Sequence, residues 1–132
     1  MNYSRNAVYT RITEAIKEQF PNAYCTSRYV ATPAHFPSCY IREIDNFRPQ
    51  QFTQLDFQDK QWESVFEVQI ASADANTASS EAHAIMEVAK TALNDLYYRE
   101  FSEVSIDGED RFTVIGRFRR RIGGGDVMPP NT

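Results

Sequence analysis

The chain has few of the residues that usually carry catalytic or metal-binding chemistry. Its 132 residues include two cysteines, two histidines and only five glycines, three of them consecutive at Gly123–Gly125. Cys25 and Cys39 are too few for a disulfide framework, so we expect two free, half-buried thiols. The glycine run follows a strand pattern but precedes no helix pattern, which excludes a phosphate-binding loop.

The sequence also lacks a long apolar run and a strong excess of charge. No stretch approaches the roughly 18 apolar residues of a membrane helix. The first six residues lack the apolar core of a signal peptide. We therefore expect a protein made and folded in a cytoplasm, with no membrane contact. The net charge of −4, from 18 acidic and 14 basic residues, argues against nucleic-acid binding through overall charge.

The cysteines and histidines do not form the pattern of a metal site or a catalytic pair. In the order Cys25, His35, Cys39 and a distant His83, there is no close pair of the kind that structural zinc sites use. No motif around either cysteine indicates an activated thiolate beside His35. We predict no catalytic residue, no metal and no cofactor. A small enzyme that uses Cys25, Cys39 or His35 is kept as an alternative hypothesis.

The most regular part of the chain runs from Gln61 to Tyr98. From Gln61 to Ile70, apolar residues alternate with Glu63, Glu67 and Gln69, which predicts a strand with one buried face. A helix is predicted to begin at Ala78, because the following apolar residues recur at intervals of three and four. They are Ala82, Ile85, Met86, Ala89, Leu93, Leu96 and Tyr97.

The other elements give the fold class. The patterns predict a helix over about Tyr3–Gln19, strands over 23–31 and 38–47, and a C-terminal hairpin that turns at Asp107-Gly108. The order α-β-β-β-α-β-β predicts an α+β fold, with a single sheet of mostly antiparallel strands and two helices on one face. We expect a single domain over residues 1–122 and a flexible C-terminal tail over residues 123–132.

The segment from Arg48 to Lys60 is rich in glutamine and has no regular pattern. A connection of this length inside a compact domain is usually functional or ordered by a partner. An equally weighted alternative is a solvated hairpin tip whose aromatic residues fold back on the sheet. The candidate partner-contact residues are Gln50, Gln51, Phe52, Gln54, Leu55, Phe57 and Gln58.

Arginines are concentrated in the last predicted strand. Arg117, Arg119 and Arg121 share one face of that strand, where like charges repel one another. Glu63 and Glu67 offer acidic partners, either within the sheet or across a subunit interface or ring lumen. An ordinary cross-strand ion-pair network and a subunit interface explain the pattern equally well. Contact with nucleic acid is a third explanation, which the acidic balance of the chain disfavours.

The arrangement of elements resembles a known family. A polar turn after an apolar strand, then a helix that contains Glu81-Ala82, Ile85-Met86 and Ala92-Leu93, is similar to the tail-terminator or tail-completion proteins of long-tailed bacteriophages. The N-terminal helix, the long loop and the terminal hairpin extend the resemblance over nearly the whole chain. The family has no fixed set of functional residues, so the resemblance carries over regions only.

The resemblance implies a structural, non-enzymatic role in the virion. Such proteins form a homo-oligomeric, typically hexameric, ring at the head-proximal end of the tail. The implied partners are other copies of the chain, the tail-tube protein and a head-completion or connector protein, with DNA only as cargo that passes through the lumen. Rival hypotheses are a head-completion stopper, a tail-tube subunit, and a small α/β module that contacts nucleic acid through Arg117–Arg121.

Overall fold

The computed structural model describes residues 3–29, 33, 35–47, 62–73, 76–122 and 126–129. These residues form two helices and five strands, which confirms the predicted order of elements. In chain order the elements are α1 (Arg5–Gln19), β1 (Tyr24–Thr26), β2 (Ser38–Phe47), β3 (Trp62–Ser72), α2 (Ala78–Asp95), β4 (Arg99–Asp107) and β5 (Phe112–Ile122).

The five strands form one sheet in the order β1-β2-β3-β5-β4. Strand β1 is parallel to β2, and all other neighbours are antiparallel. The predicted α+β class, with a single, mostly antiparallel sheet and two helices on one face, is therefore confirmed. The C-terminal hairpin turns as predicted, since β4 ends at Asp107 and the Gly108 N–H donates to the Arg111 carbonyl oxygen at 2.9 Å.

Both helices cover the same face of the sheet, and the core lies between the two layers. The Ser4 hydroxyl accepts a hydrogen bond from the Ala7 N–H at 3.1 Å, so α1 begins at Arg5. Its buried stripe packs with that of α2 against alternate residues of the strands. The fully buried side chains include Ile12, Ile16, Ile41, Phe66, Ile70, Ile85, Met86, Leu93, Leu96, Tyr98 and Phe118.

Strand β1 is shorter than predicted. The sequence predicted a strand over residues 23–31, but β1 ends at Thr26 and Ser27–Tyr29 lie outside it. The Thr26 hydroxyl accepts from the Arg28 N–H at 3.0 Å and lies 3.1 Å from the Arg28 carbonyl oxygen. A threonine that bonds the backbone two residues on favours a turn over a continued strand.

Part of the C-terminal segment packs against the domain. The sequence predicted a flexible tail from residue 123, whereas Met128 is buried in the core and Asp126 lies 3.0 Å from the Arg120 guanidinium. Arg11 in α1 donates to the Pro129 carbonyl oxygen. A buried apolar side chain and these polar contacts hold residues 126–129 in place.

Candidate functional site

The sheet face opposite the helices carries the five predicted interface residues that the structure describes. We call it the open face. Because side chains alternate along a strand, Glu63 and Glu67 of β3 and Arg117, Arg119 and Arg121 of β5 all project from it. Glu63 lies opposite Arg121 and Glu67 opposite Arg117, whereas Arg119 lies opposite Val65. The sequence predicted one face for the three arginines and left open whether the glutamates pair with them within the sheet; this register brings them together.

A buried glutamate lies at the centre of the open face. Glu67 is only 2% exposed, and its carboxylate lies 2.9 Å from Arg117 Nε and 3.2 Å from an Arg42 guanidinium nitrogen. The Gln69 amide donates a third hydrogen bond at 2.9 Å. Arg42, Glu67 and Arg117 are cross-strand partners on β2, β3 and β5. One carboxylate therefore holds two guanidinium groups that are each about half exposed.

These contacts determine the ionisation of Glu67. Burial by itself raises the pKa of a carboxyl group. Hydrogen bonds from Gln69, Arg117 and Arg42 outweigh the burial and hold the pKa of Glu67 below its ordinary value. The carboxylate is therefore charged at neutral pH, and the Arg42–Glu67–Arg117 group carries a net positive charge.

The other two predicted arginines make different contacts. Arg121 Nε lies 3.9 Å from a Glu63 carboxylate oxygen. The Arg119 guanidinium lies 5.3 Å from the centre of the Phe101 ring, and no ion pair joins it to another described residue. Arg120 projects to the opposite side, where it donates to the Leu96 carbonyl oxygen at 2.7 Å and stacks on Tyr3. Two of the three predicted arginines thus pair with glutamates within the sheet.

Exposed apolar side chains continue the open face towards β4. Phe101, Val104 and Ile106 are 47%, 51% and 51% exposed. In the same strand Glu100 and Glu103 turn to the helix side, where Lys90 lies 3.4 and 3.6 Å from their carboxylates. Strand β4 therefore directs its apolar residues away from the helices.

A shallow groove of about 220 Å³ crosses one end of the open face. Its apolar wall includes Ile106 and Ile115, and its aromatic wall includes Tyr29 and Tyr40, whose ring centres are 5.8 Å apart. Gln69 lies between the two walls and also hydrogen-bonds Glu67. The groove and the arginine group therefore form one continuous surface.

Sequence reasoning missed Arg42, Gln69 and the apolar residues of β4 as part of this surface. Arg42 lies in a strand that carries apolar residues on both faces, so the alternation of residues did not predict which face of the sheet Arg42 occupies. The spacing of Val104 and Ile106 indicated that they share one face of their strand. An apolar row of this kind normally predicts the face that packs against the core, not the open face. The predicted partner-contact loop, Gln50–Gln58, lies outside the described residues.

The residues considered for catalysis or metal binding do not converge. Cys25 and Cys39 are free thiols on paired positions of β1 and β2. A hydrogen bond between them and burial raise the pKa of Cys39, and the same hydrogen bond lowers that of Cys25. His83 Nδ1 lies 2.8 Å from the Ser79 carbonyl oxygen. Within the described ranges, no three metal-ligating side chains cluster.

Among the described residues, no helix is both long enough and apolar enough to cross a membrane. The open face is the best-formed candidate site in this part of the chain, and its chemistry is that of a binding surface.

No protein-family model and no curated protein sequence matches this chain.

Proposed function

We propose that this chain is a structural virion protein, a tail terminator or tail-completion subunit of a long-tailed bacteriophage. In this proposal, copies of the chain form a ring that caps the tail tube and joins it to the head connector. The observation that carries the proposal is the open face, where fixed arginines and exposed apolar side chains lie on one uncovered sheet surface.

The composition of the open face suits contact with another protein. Interfaces are enriched in arginine and aromatic residues, and the open face combines Arg42, Arg117 and Arg119 with Phe101 and Tyr40. Arg42 and Arg117 are about half exposed, so each ion pair with Glu67 contributes only about 1 kcal/mol to the stability of a monomer. The same arginines buried by a partner can each contribute about 2 kcal/mol or more.

The buried glutamate prepares the arginines for binding. A guanidinium group held by a carboxylate loses less rotational freedom when a partner contacts it. Arg42 and Arg117 are held in this way by Glu67 but keep about half of their surface exposed. The network therefore supports a binding role as well as the stability of the sheet.

The first test measures the mass of the purified protein by light scattering. Negative-stain images of the same fraction are then recorded for the protein alone and for the protein mixed with tail tubes. The double variant Arg117→Glu, Arg119→Glu should fold, as checked by circular dichroism, but fail to form rings or bind tube ends, because it reverses two charges that a partner would contact. Lys17→Glu, an exposed charge reversal on α1, is the control and should assemble normally.

Two results would contradict this account at different levels. Normal assembly of the arginine double variant would remove Arg117 and Arg119 from the interface. A wild-type protein that stays monomeric and also fails to bind tail tubes would refute the proposed terminator function itself.

A further inference from the structure

The sheet has two open edges. Strand β4 pairs with β5 on one side and with no other described strand. At the opposite end, β1 pairs only with Ser38–Tyr40 of β2. The outer edge of β2 from Ile41 to Phe47 therefore has no strand partner among the described residues. An unpaired edge presents backbone N–H and C=O groups that can add a strand from another chain.

The β4 edge has only part of the usual protection against such pairing, namely the inward-pointing Glu100 and Glu103 and one bulge. Natural edge strands are often blocked by proline, lysine or shortness. Strand β4 is nine residues long, contains neither proline nor lysine, and exposes about half of Phe101, Val104 and Ile106. Its one irregularity is the shift in register between Glu100 and Ser102, so the six residues from Ser102 to Asp107 pair regularly with β5.

The two edges differ in charge. From Arg99 to Arg111, β4 and its turn contain five carboxylates and two arginines. Lys90 lies beside Glu100 and Glu103, and Arg111 pairs with Asp110.

The open edge of β2 borders a cleft of about 640 Å³ whose charged lining residues are Arg5, Arg28, Arg42 and Glu43. Arg42 also pairs with Glu67, while no ion pair joins Arg5 or Arg28 to a described residue. Asp45 lies in the same stretch of β2, so the residues of this edge and its cleft include three arginines and two carboxylates. It is less acidic than the β4 edge, which favours contact between the unlike edges of successive copies.

The strand directions fit the same arrangement. Strand β3 is antiparallel to β2, β5 is antiparallel to β3, and β4 is antiparallel to β5. Strand β4 therefore runs opposite to β2. If a second copy continues the sheet in the same orientation, its β2 lies antiparallel to the first copy's β4, and the helices of both copies lie on the same side. Pairing two β4 edges about a twofold axis would instead bring the two acidic edges together.

We propose that β4 of one protomer adds as an antiparallel strand to the open β2 edge of the next copy. This inference rests on the proposed ring and names the contact that builds it. The contact is head-to-tail, because one edge of each copy meets the other edge of its neighbour. Repeated contacts of this type close into a ring when the rotation between copies allows it.

The first test replaces an apolar residue of the edge by lysine. Val104→Lys should fold normally by circular dichroism but raise the concentration at half-assembly by about tenfold or more, the factor that corresponds to 1.4 kcal/mol. Val127→Lys is the matched control, since Val127 is 57% exposed and lies outside β4. Assembly of Val104→Lys at the wild-type concentration overturns the inference.

A cross-linking test determines which edges meet. In a Cys25→Ser, Cys39→Ala background, one cysteine is placed on β4 by Ser105→Cys and one beside the β2 edge by Ser27→Cys, both at exposed positions. With a short bismaleimide, the double variant should give a ladder of covalent oligomers and each single variant should give none. Covalent dimers from Ser105→Cys alone would show twofold β4 pairing and overturn the proposal.

The failures of this inference and of the proposed function are distinguishable. If the wild type forms rings but Val104→Lys forms them equally well, only the edge contact is wrong. If the wild type forms no assembly, alone or on tail tubes, the proposed ring and the proposed edge contact are both wrong.

Discussion

Replacement of Glu67 tests the energetics of the open face most directly. Glu67→Gln keeps the shape of the side chain but removes the charge that faces Arg42 and Arg117 at 3.2 and 2.9 Å. Hydrogen bonds to charged groups contribute about 1.5–3 kcal/mol, and the remaining amide oxygen retains part of this. Both arginines are about half exposed, so solvent screens the lost attraction. We expect the free energy of unfolding to fall by about 2 kcal/mol at pH 7.

The pH dependence separates this charge effect from a packing effect. The folded-state pKa of Glu67 is lowered from an unfolded value of about 4.3. Its contribution is therefore fully present above about pH 4.3, and it is lost as the pH falls through the lower folded-state value. The difference in stability between wild type and Glu67→Gln should be constant from pH 7 to 5 and should shrink at lower pH.

Urea denaturation, followed by the fluorescence of Trp62, measures both quantities. Trp62 is the only tryptophan and lies half-buried in β3, so its emission should report the unfolding of the sheet. Glu87→Gln is the control, because Glu87 is mostly exposed although it pairs with Lys90 at 3.3 Å. The control should cost less than about 0.5 kcal/mol. Equal costs for the two variants, or a Glu67→Gln cost that does not change below pH 4, would refute the reasoning.

Two further predictions concern the C-terminal segment and the cysteines. Met128→Ala should lower the free energy of unfolding by about 2 kcal/mol, because it removes a buried side chain from the core; no change in urea denaturation would show that the packing of residues 126–129 contributes nothing. In the native protein, one thiol should react rapidly with a disulfide reagent at pH 8 and one slowly, since Cys25 is half-buried with a lowered pKa and Cys39 is buried with a raised pKa. Equal rates, or a fast Cys39 in the Cys25→Ser variant, would contradict this assignment.

The sequence predicted the elements whose two sides differ clearly in polarity. In β3, Phe66 and Ile70 alternate with Glu67, and the structure buries the first two against the helices and directs the glutamate to the open face. The stripe of α2 was clear for the same reason from Ala82 to Leu93, but Tyr97, predicted as its last member, lies beyond the end of the helix and is 57% exposed. A single strong periodicity is enough to orient such an element.

The sequence could not orient the residues whose direction depends on distant elements. Strand β2 has apolar residues on both faces, and its register shifts between Glu43 and Asp45. The position of Arg42 beside Glu67 therefore depends on how β2 pairs with β3. The apolar side of β4 faces away from the helices, while Glu100 and Glu103 lie on the helix side beside Lys90 of α2, a long-range contact that the sequence does not show. The sequence also gave no strand order, and the position of β4 at the edge follows from the insertion of β5 between β3 and β4.

The placement of β4 links the local chemistry of the sheet to the proposed assembly. If β4 lay inside the sheet, Val104 and Ile106 would be flanked by strands on both sides and their backbone groups would all be paired. At the edge, the same residues give a strand that is apolar on the open face and acidic towards the helices. A partner strand must then match a backbone edge and a negative charge at once. The β2 edge of a second copy, with Arg5 and Arg28 beside it, offers the backbone edge and the positive charge in a strand of suitable direction.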